Sequence, residues 1–367
     1  MDRPSARASW SITAAGRRGR SLSAARSPAG ALSGAALFLC LAACGGGGGE
    51  SDGLRPAAVP PEIAALCTGW TDHPANPLLA PPFPEQIIAD PTFLPPGQAP
   101  DGRWHLFAHA ILTGVHHYTS EDGVAWTDNP PALLGLARIR PYLFREGPTY
   151  YLFYEALTDY YHSHIEVRTS ADLFAWSEPT TVLEPEYEWE RGALFTTGNP
   201  FLLKRDGAYW LYYSADGVFL HDALYFEPKY VGVARGPTPL GPFAKEPLPL
   251  IGPSAADPEL NLGAGSIKLL DGPVAGRWVA FNNTIYNDAD GNSRSAVRGV
   301  EQADGLAWEK ACAAPVVAPE GDGWKRSFVY AFDVRPAGGA LRMYYNARSG
   351  WFVGTERIGL ASRALGP

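Results

Sequence analysis

The chain has 367 residues and a formal net charge of −8, with 30 Lys and Arg against 38 Asp and Glu. This acidic balance argues against a nucleic acid as a partner, because binding to phosphates needs a basic surface. Aromatic residues make up 12% of the sequence, and 40 Gly and 34 Pro accompany only 2 Met. Such a composition favours many short strands joined by tight turns.

The N-terminal segment has the organisation of an export signal. Several arginines precede an apolar run over residues 31–43 that is too short to span a bilayer. The run ends in Leu41-Ala-Ala-Cys-Gly45, which resembles a bacterial lipobox, where the signal is removed and the cysteine becomes the lipidated first residue. The resemblance implies a signal peptide over residues 1–43 and lipidation of Cys44. An ordinary secretory signal with a chance cysteine is the alternative.

Residues 44–66 form the predicted tether between the lipid and the folded domain. Five consecutive glycines, Gly45–Gly49, begin it, and a stretch rich in Pro, Ala and charge follows. Chains of this kind behave as flexible coils. No later apolar stretch is long enough to cross a membrane, so the lipid would be the only membrane contact. We therefore expect an exported protein anchored to the bacterial cell envelope, at the outer membrane in a Gram-negative cell.

Residues 67–367 are predicted to form one folded domain. Cys67 and Cys312 are its two cysteines. An even pair in an oxidising compartment suggests one disulfide, and two buried free thiols are the alternative.

An internal repeat with a period of roughly 50 to 65 residues runs through this domain. Each copy starts with an inner strand and an aromatic-rich middle strand joined by a bend, and a third strand follows. Four copies continue with a turn that delivers an aromatic ring to a fixed packing site and with a proline-rich edge strand. The five strand pairs are Asp90–Leu94 with Trp104–His109, Arg140–Phe144 with Tyr150–Glu155, Asn199–Leu203 with Tyr209–Ser214, Gly265–Leu270 with Trp278–Asn282, and Phe328–Asp333 with Leu341–Asn346.

Five copies of a four-stranded unit predict an all-β fold, a five-bladed β-propeller. The fifth copy ends near the C-terminus without an edge strand, whereas Trp70–Leu79 is similar to Trp126–Leu134. Residues 70–80 are therefore predicted to complete the last blade and close the ring, which would bring Cys67 within reach of Cys312. A β-sandwich also has short strands, but it does not explain five matching copies.

Residues 70–365 resemble the five-bladed propeller glycosidases, the superfamily of arabinanases, levansucrases and invertases, and family 43 glycoside hydrolases are the closest comparison. The resemblance rests on Asp90-Pro91, the Ser-x-Asp-Gly-x-x-Trp turn that ends at Trp126, and the string Val231–Phe243. It implies that the starts of the inner strands and the ends of the middle strands surround one mouth of a central channel. It also implies hydrolysis of an oligo- or polysaccharide, here at the cell envelope.

The catalytic residues predicted at this mouth are Asp90 and Glu155. The resemblance implies that Asp90 is the base, but the two other acidic positions of the family fall on Arg140 and Asn199, which cannot act as carboxylic acids. Glu155 ends an apolar aromatic strand, where desolvation would raise its pKa, and a salt bridge to Arg138 or Arg140 is its alternative role. The residues expected to bind substrate are Arg140, Asn199, His109, Asp216, Asn282, Tyr330 and Arg348.

Two other functions stay open at this stage. Arginines at the mouth, Arg140 and Arg348 among them, would suit an anionic sugar or the phosphate of a propeller phosphorylase. A glycan-binding lipoprotein that has lost the acid is the non-catalytic alternative. His162-x-His164 lacks a third ligand, so no metal site and no cofactor is predicted, and a single structural ion in the channel, as in some relatives, is left open. We expect a monomer whose partners are a carbohydrate and, through the lipid alone, the membrane.

Overall fold

The computed structural model describes residues 59–302 and 306–366. The predicted signal peptide, Cys44 and most of the tether lie outside these residues. The described part is almost entirely β-structure, as the sequence predicts. Its helical segments are α1 (Pro61–Leu66) and two 3₁₀-helical turns at Pro96–Gln98 and Glu188–Glu190. Within the described ranges, no helix is both long and apolar enough to cross a membrane.

The strands follow the predicted repeat. They are β1 (Thr71–Asp72), β2 (Ala89–Leu94), β3 (Trp104–Ala110), β4 (Gly114–Ser120), β5 (Thr127–Asp128), β6 (Arg138–Glu146), β7 (Thr149–Leu157), β8 (Ser163–Ser170), β9 (Thr180–Leu183), β10 (Thr197–Arg205), β11 (Ala208–Leu220), β12 (Tyr225–Gly236), β13 (Ala244–Lys245), β14 (Gly263–Leu269), β15 (Trp278–Asn287), β16 (Ser293–Gln302), β17 (Glu309–Lys310), β18 (Phe328–Ala337), β19 (Ala340–Arg348) and β20 (Glu356–Ala364).

Consecutive strands pair antiparallel in groups of four. Three groups are separate sheets, β2–β5, β6–β9 and β10–β13. The groups β14–β17 and β18–β20 with β1 belong to one eight-stranded sheet, in which a parallel pairing of Ser295 with Phe328 joins them. In four of the groups the first strand is buried along most of its length, and the second strands carry most of the largest fully buried aromatic side chains.

The N-terminal strand pairs with the C-terminal strand. Thr71 lies opposite Ser362 and Asp72 opposite Ala361, and a further bridge joins Leu79 to Ile358. Residues 71–79 thus lie along β20, where the sequence predicts the missing edge strand. Because the two ends of the domain are held in one sheet, neither can separate without breaking ladder hydrogen bonds.

One aromatic ring from each of four groups packs against a neighbouring group. The ring belongs to the residue just before or within the turn that leads into the group's short last strand, and it contacts the second strand of the group beside it. The pairs are Trp126 with Tyr344, Trp176 with Phe107, Trp308 with Tyr212, and Trp70 with Phe281, at centroid distances of 5.3–6.4 Å. These contacts are the fixed packing sites that the repeated turns predict, and Trp70 occupies the same role as its counterparts.

Residues 61–66 depart from the prediction of a tether up to residue 66. They form α1, in which Ile63 and Leu66 are buried in a cluster with Phe281 and Cys312. Residues three apart on a helix share a face, so both apolar side chains reach the same core. The folded domain therefore begins before residue 67. The predicted cysteine pair follows directly, since Cys67 and Cys312 form a disulfide.

Candidate functional site

The first strand of every group carries the same irregularity. Its register with the second strand shifts between Ala89 and Thr92, Ile139 and Tyr142, Gly198 and Phe201, Ala264 and Ile267, and Val329 and Phe332. A β-bulge of this kind redirects the side chains within it. In three of the bulges a non-glycine residue with positive φ precedes a proline: Asp90 (φ 51°), Arg140 (φ 54°) and Asn199 (φ 47°).

Positive φ is uncommon for residues other than glycine and persists only where the surroundings hold it. Here it directs three polar side chains toward one point. A cavity of about 320 Å³ lies there, a size in the range of small-molecule sites. Six of the predicted site residues line it, namely Asp90, His109, Arg140, Asn199, Tyr330 and Arg348.

Asp90 is held between a neutral histidine and two cations. Its Oδ2 lies 3.2 Å from Nδ1 of His109, whose pKa burial and the charge of Arg140 lower to about 3. This contact is therefore not an ion pair at neutral pH. The backbone N–H of Asp90 donates to Oδ1 of Asn346. Burial raises the pKa of Asp90, while Arg140 and Lys268 act in the opposite direction and favour its carboxylate.

Lys268 is a buried residue that lines a small space next to this cavity. Its Nζ donates to the carbonyl of Pro200 at 3.2 Å and lies 4.8 Å from the centre of the Tyr142 ring. Burial lowers the pKa of Lys268 to about 8, and the nearby Asp333 and Asp90 oppose the shift. A small space that Lys268 lines together with Asp90 connects it to the cavity.

Glu227 is an acidic residue of the cavity that the sequence analysis did not identify. It lies on β12, opposite Val218 of β11, and these two strands form a long hairpin of 13 and 12 residues. Burial raises the pKa of Glu227 from its ordinary value of 4.5 to about 8. The charges of Arg140 and Arg348 oppose this shift, and those of Glu356 and Asp90 add to it. Glu227 thus keeps its proton at neutral pH, as a general acid must.

Glu356 is the third carboxyl group of the cavity, and the sequence analysis missed it as well. Its Oε1 lies 3.0 Å from Nη1 of Arg348, and its Oε2 accepts a hydrogen bond from Asn346. Burial raises the pKa of Glu356 to about 7. The other donors of Arg348 point to the carbonyl oxygens of Gly350, Trp351 and Phe352. Arg348 therefore has few donors left for a substrate.

The prediction that Glu155 is a catalytic acid is not supported by its position. Glu155 is buried, is absent from the cavity lining, and has its Oε2 2.7 Å from Nη1 of Arg140. The alternative salt bridge is the one observed. The strand register explains it, because Glu155 lies opposite Ile139, next to the bulge that turns Arg140 inward.

Asp216 and Asn282 also lie away from the cavity lining, in contrast to the prediction. Asp216 accepts the backbone N–H of Leu194 and pairs with Lys229 at 3.3 Å. It thus fixes residues 184–196, the inserted segment between β9 and β10, to the long hairpin. Asn282 donates to the carbonyl of Ser266 inside the fourth bulge. Both side chains thus hold neighbouring backbone in place, Asp216 that of Leu194 and Asn282 that of Ser266.

The described residues hold no group of three or more His, Cys, Asp or Glu side chains that could bind a metal ion. His162 pairs with Asp159 and His164 with Glu166, so the two histidines have separate partners.

The fold is similar to those of solved carbohydrate-active proteins. A thermostable family-43 glycoside hydrolase matches 76% of this chain and 93% of its own, with a TM-score of 0.57 and 16% identity. An N-acetylgalactosamine deacetylase from F. plautii matches 81% and 96%, with a TM-score of 0.59 and 14% identity. A β-1,2-mannobiose phosphorylase from Listeria innocua matches 81% and 97%, with a TM-score of 0.57 and 13% identity.

These similarities confirm the resemblance to propeller glycosidases at the level of the fold. No protein-family model matches the chain, and a search of curated proteins gives no match. Similar folds carry different reactions, so the cavity, and not the fold, indicates the chemistry.

Proposed function

We propose that the protein is a glycoside hydrolase in which Asp90 acts on the sugar side and Glu227 on the leaving-group side. The observation that carries the proposal is that Asp90 and Glu227 line one cavity. Burial raises the pKa of both carboxyl groups, that of Glu227 to about 8, and the cations Arg140 and Lys268 oppose the rise at Asp90. Cleavage of a glycosidic bond usually needs two carboxyl groups, one that donates a proton and one that acts as a base or nucleophile.

In the proposed reaction the bond between the anomeric carbon and the leaving oxygen breaks. Glu227 gives its proton to that oxygen, which leaves as a hydroxyl group. Asp90 takes a proton from the water whose oxygen bonds to the anomeric carbon, or attacks that carbon first and is then released by water. In the first route Asp90 then returns its proton to Glu227 through solvent, whereas in the second route Glu227 regains a proton directly from the attacking water. Either route consumes one water.

Hydrolysis agrees better with the cavity than phosphate transfer or an anionic sugar. Arg140 is paired with Glu155, and Arg348 is paired with Glu356 and bonded to three carbonyl oxygens. Both guanidinium groups are thus largely neutralised by their neighbours. Three carboxyl groups face the same space, and an anion would be repelled by any of them that ionise.

The experiment is a panel of oligosaccharides and aryl glycosides incubated with the purified protein, with and without inorganic phosphate. We expect release of reducing sugar in the absence of phosphate. Release that requires phosphate would identify a phosphorylase instead. Binding to glycans on an array without any release would identify the non-catalytic alternative.

We further infer that the five groups of strands are five blades of a ring that β1 closes. Five equivalent bulges support this arrangement, as does the pairing of β1 with β20. The first and fifth groups are also in contact, since the rings of Phe93 and Tyr344 lie 4.7 Å apart and Thr92 donates to Asp333. A ring of this kind would place the bulges around one axis.

The location of the protein is a separate proposal, which rests on the sequence before residue 59. We propose that the chain is exported, that Cys44 carries the lipid, and that the glycan substrate is met at the cell envelope. The test is metabolic labelling with an alkyne fatty acid in a bacterial host. Label is expected on the wild-type chain and not on Cys44→Ala, and label on both would contradict the proposal.

A further inference from the structure

We propose a second sugar-binding surface beside the cavity, which holds further units of the glycan whose terminal unit occupies the cavity. The surface has two parts. The aromatic ridge consists of Phe226, Tyr160, Tyr161 and Phe195, and the side groove is a space of about 380 Å³ at its far end. This inference rests on the proposed function, and it specifies the substrate as a chain of several sugars.

The aromatic ridge starts at the cavity itself. Phe226 lines the cavity next to Glu227, and its ring centre lies 6.4 Å from that of Tyr160. The rings of Tyr160 and Tyr161 follow at 5.0 Å, and these two side chains are 65% and 51% exposed. A cluster of exposed aromatic rings is unusual on a protein surface and marks a binding site. Tyrosine suits a sugar, because it offers an apolar face and a hydroxyl group.

The loop that carries the ridge is fixed before any ligand binds. Asp159 accepts the backbone N–H groups of Tyr161 and His162 and also contacts Nδ1 of His162 at 2.8 Å. Phe195 ties the inserted segment to this loop, since its N–H donates to the carbonyl of Tyr161 and its carbonyl accepts from Ser163. A preformed surface loses little conformational entropy on binding, which favours affinity.

The side groove lies where the ridge ends. Phe195, which is 40% exposed, forms one wall, and its ring centre lies 5.1 Å from that of His162. Apart from Pro185, polar side chains form the rest of the lining, among them His164, Glu184 and Arg191. Arg191 donates to the carbonyl of Pro185 and forms no ion pair within residues 59–302 and 306–366. An aromatic wall with a donor and an acceptor nearby is a suitable site for the hydroxyl groups of one sugar.

A glycan is favoured over a protein partner because the surface is continuous with the cavity. The ridge leads from the half-buried Phe226 through the exposed Tyr160 and Tyr161 to Phe195, whose backbone is bonded to that of Tyr161. One extended chain can therefore contact both ends. Each further sugar stacked on a ring then adds to the affinity. The structure thus predicts that affinity increases with the number of sugar units and that this increase depends on the ridge.

The test uses an array of oligosaccharides from disaccharides to hexasaccharides, probed with protein that carries Asp90→Asn so that bound glycans are not cleaved. The ridge variant is Tyr160→Ala with Tyr161→Ala. The control is Phe174→Ala, which removes a ring that is also 51% exposed but lies on the β8–β9 turn against His105 and His117. Circular dichroism of each variant verifies that it is folded.

We expect affinity to increase from the disaccharide to the hexasaccharide of the bound series, and the ridge variant to lose roughly tenfold affinity for the hexasaccharide, a typical effect of an aromatic contact. Phe174→Ala should keep the increase. Equal affinities across chain lengths, no binding to any glycan, or an unchanged hexasaccharide affinity in the ridge variant would each overturn the inference. Length-dependent binding by a wild-type protein that releases no sugar would leave the surface in place and refute only the hydrolase proposal.

Discussion

Nη1 of Arg140 lies 2.7 Å from Oε2 of Glu155, and this ion pair decides which carboxyl group is available for chemistry. A buried guanidinium group needs a carboxylate beside it, because an unpaired charge in the interior is costly. Glu155 serves that need from the neighbouring strand. Glu155 thus faces Arg140 and is absent from the cavity lining, which makes the hairpin residue Glu227 the better candidate for a proton donor.

The space for this pair depends on Gly198. A Cβ atom at residue 198 would lie 1.8 Å from Oε2 of Glu155, so Gly198→Ala must displace the carboxylate. We expect this substitution to lower the free energy of unfolding by about 1–3 kcal/mol, as overpacking in a core does. Urea denaturation measures the change. Gly135→Ala is the control, since a Cβ atom there meets nothing within 4 Å, and equal effects of the two substitutions would contradict the argument.

Much of the cavity could be predicted because it follows from the repeat. Asp90, Arg140, Asn199 and Tyr330 occupy equivalent positions in the first strands of their groups. Residues at equivalent positions of a repeat come together wherever the units share an axis. The disulfide and the pairing of residues 71–79 with β20 follow from the same register. These features depend only on the spacing of the repeats, so a single sequence is enough to predict them.

The direction of a single side chain could not be predicted in this way. Glu155 lies near the end of a strand, where a shift of one residue in the register decides whether its side chain faces the cavity or Arg140. The sequence predicts that the third middle strand ends at Ser214, whereas β11 continues to Leu220, so the sequence does not bring Glu227 to the cavity. A signal was present in Tyr225-Phe-Glu-Pro, an acidic residue beside two aromatic ones. Without the length of the hairpin, however, its place over the cavity could not be known.

Asp90→Asn tests the residue on the sugar side. Asparagine tolerates the positive φ of this position and keeps its shape, but it cannot take a proton from water. We expect turnover to fall by roughly 10²–10⁴-fold while glycan binding persists. Asp206→Asn is a matched control, since Asp206 also has positive φ (52°) and lies on an exposed turn. Normal turnover by the Asp90 variant would refute the assignment.

Glu227→Gln tests the proton donor through the pH dependence of the reaction. Since the pKa of Glu227 is about 8, wild-type turnover should decline above that pH. The variant should lose turnover of glycosides with poor leaving groups at every pH, and lose less with activated aryl leaving groups, which need no proton. Rates measured from pH 5 to pH 10 on both substrate types show the difference. A decline above pH 8 that persists in residual turnover by the variant would point to another acid.

The same substitution changes stability with pH in a defined direction. The folded chain holds the proton of Glu227 more tightly than the unfolded chain, whose pKa is near 4.5. Its contribution to stability is therefore complete below pH 4.5 and is lost as the pH rises to about 8. We expect the Tm of Glu227→Gln to decrease less than the Tm of the wild type between pH 5 and pH 9. Parallel Tm curves for the two proteins would contradict the raised pKa.

The disulfide between Cys67 and Cys312 joins residues 245 apart in sequence and ties α1 to the fourth group of strands. Closing so long a loop restricts the unfolded chain, and such bonds contribute about 2–5 kcal/mol. We expect dithiothreitol to lower the Tm of the wild type. The double variant Cys67→Ser with Cys312→Ser should have the same low Tm with and without the reductant. A wild-type Tm that does not change on reduction would show that the disulfide adds nothing to stability.

Lys268→Met tests whether the buried ammonium group supports the carboxylate of Asp90. Lys268 lowers the pKa of Asp90, so its removal should raise that pKa and move the acidic limb of the kcat/KM profile to higher pH. The basic limb should stay near pH 8, because it belongs to Glu227. Methionine is similar in length and keeps the contact with the Tyr142 ring.

Lys204→Met, which removes an exposed lysine paired with Glu146, is the control and should shift neither limb. An acidic limb that stays in place in Lys268→Met would mean that Arg140 alone sets the charge of Asp90.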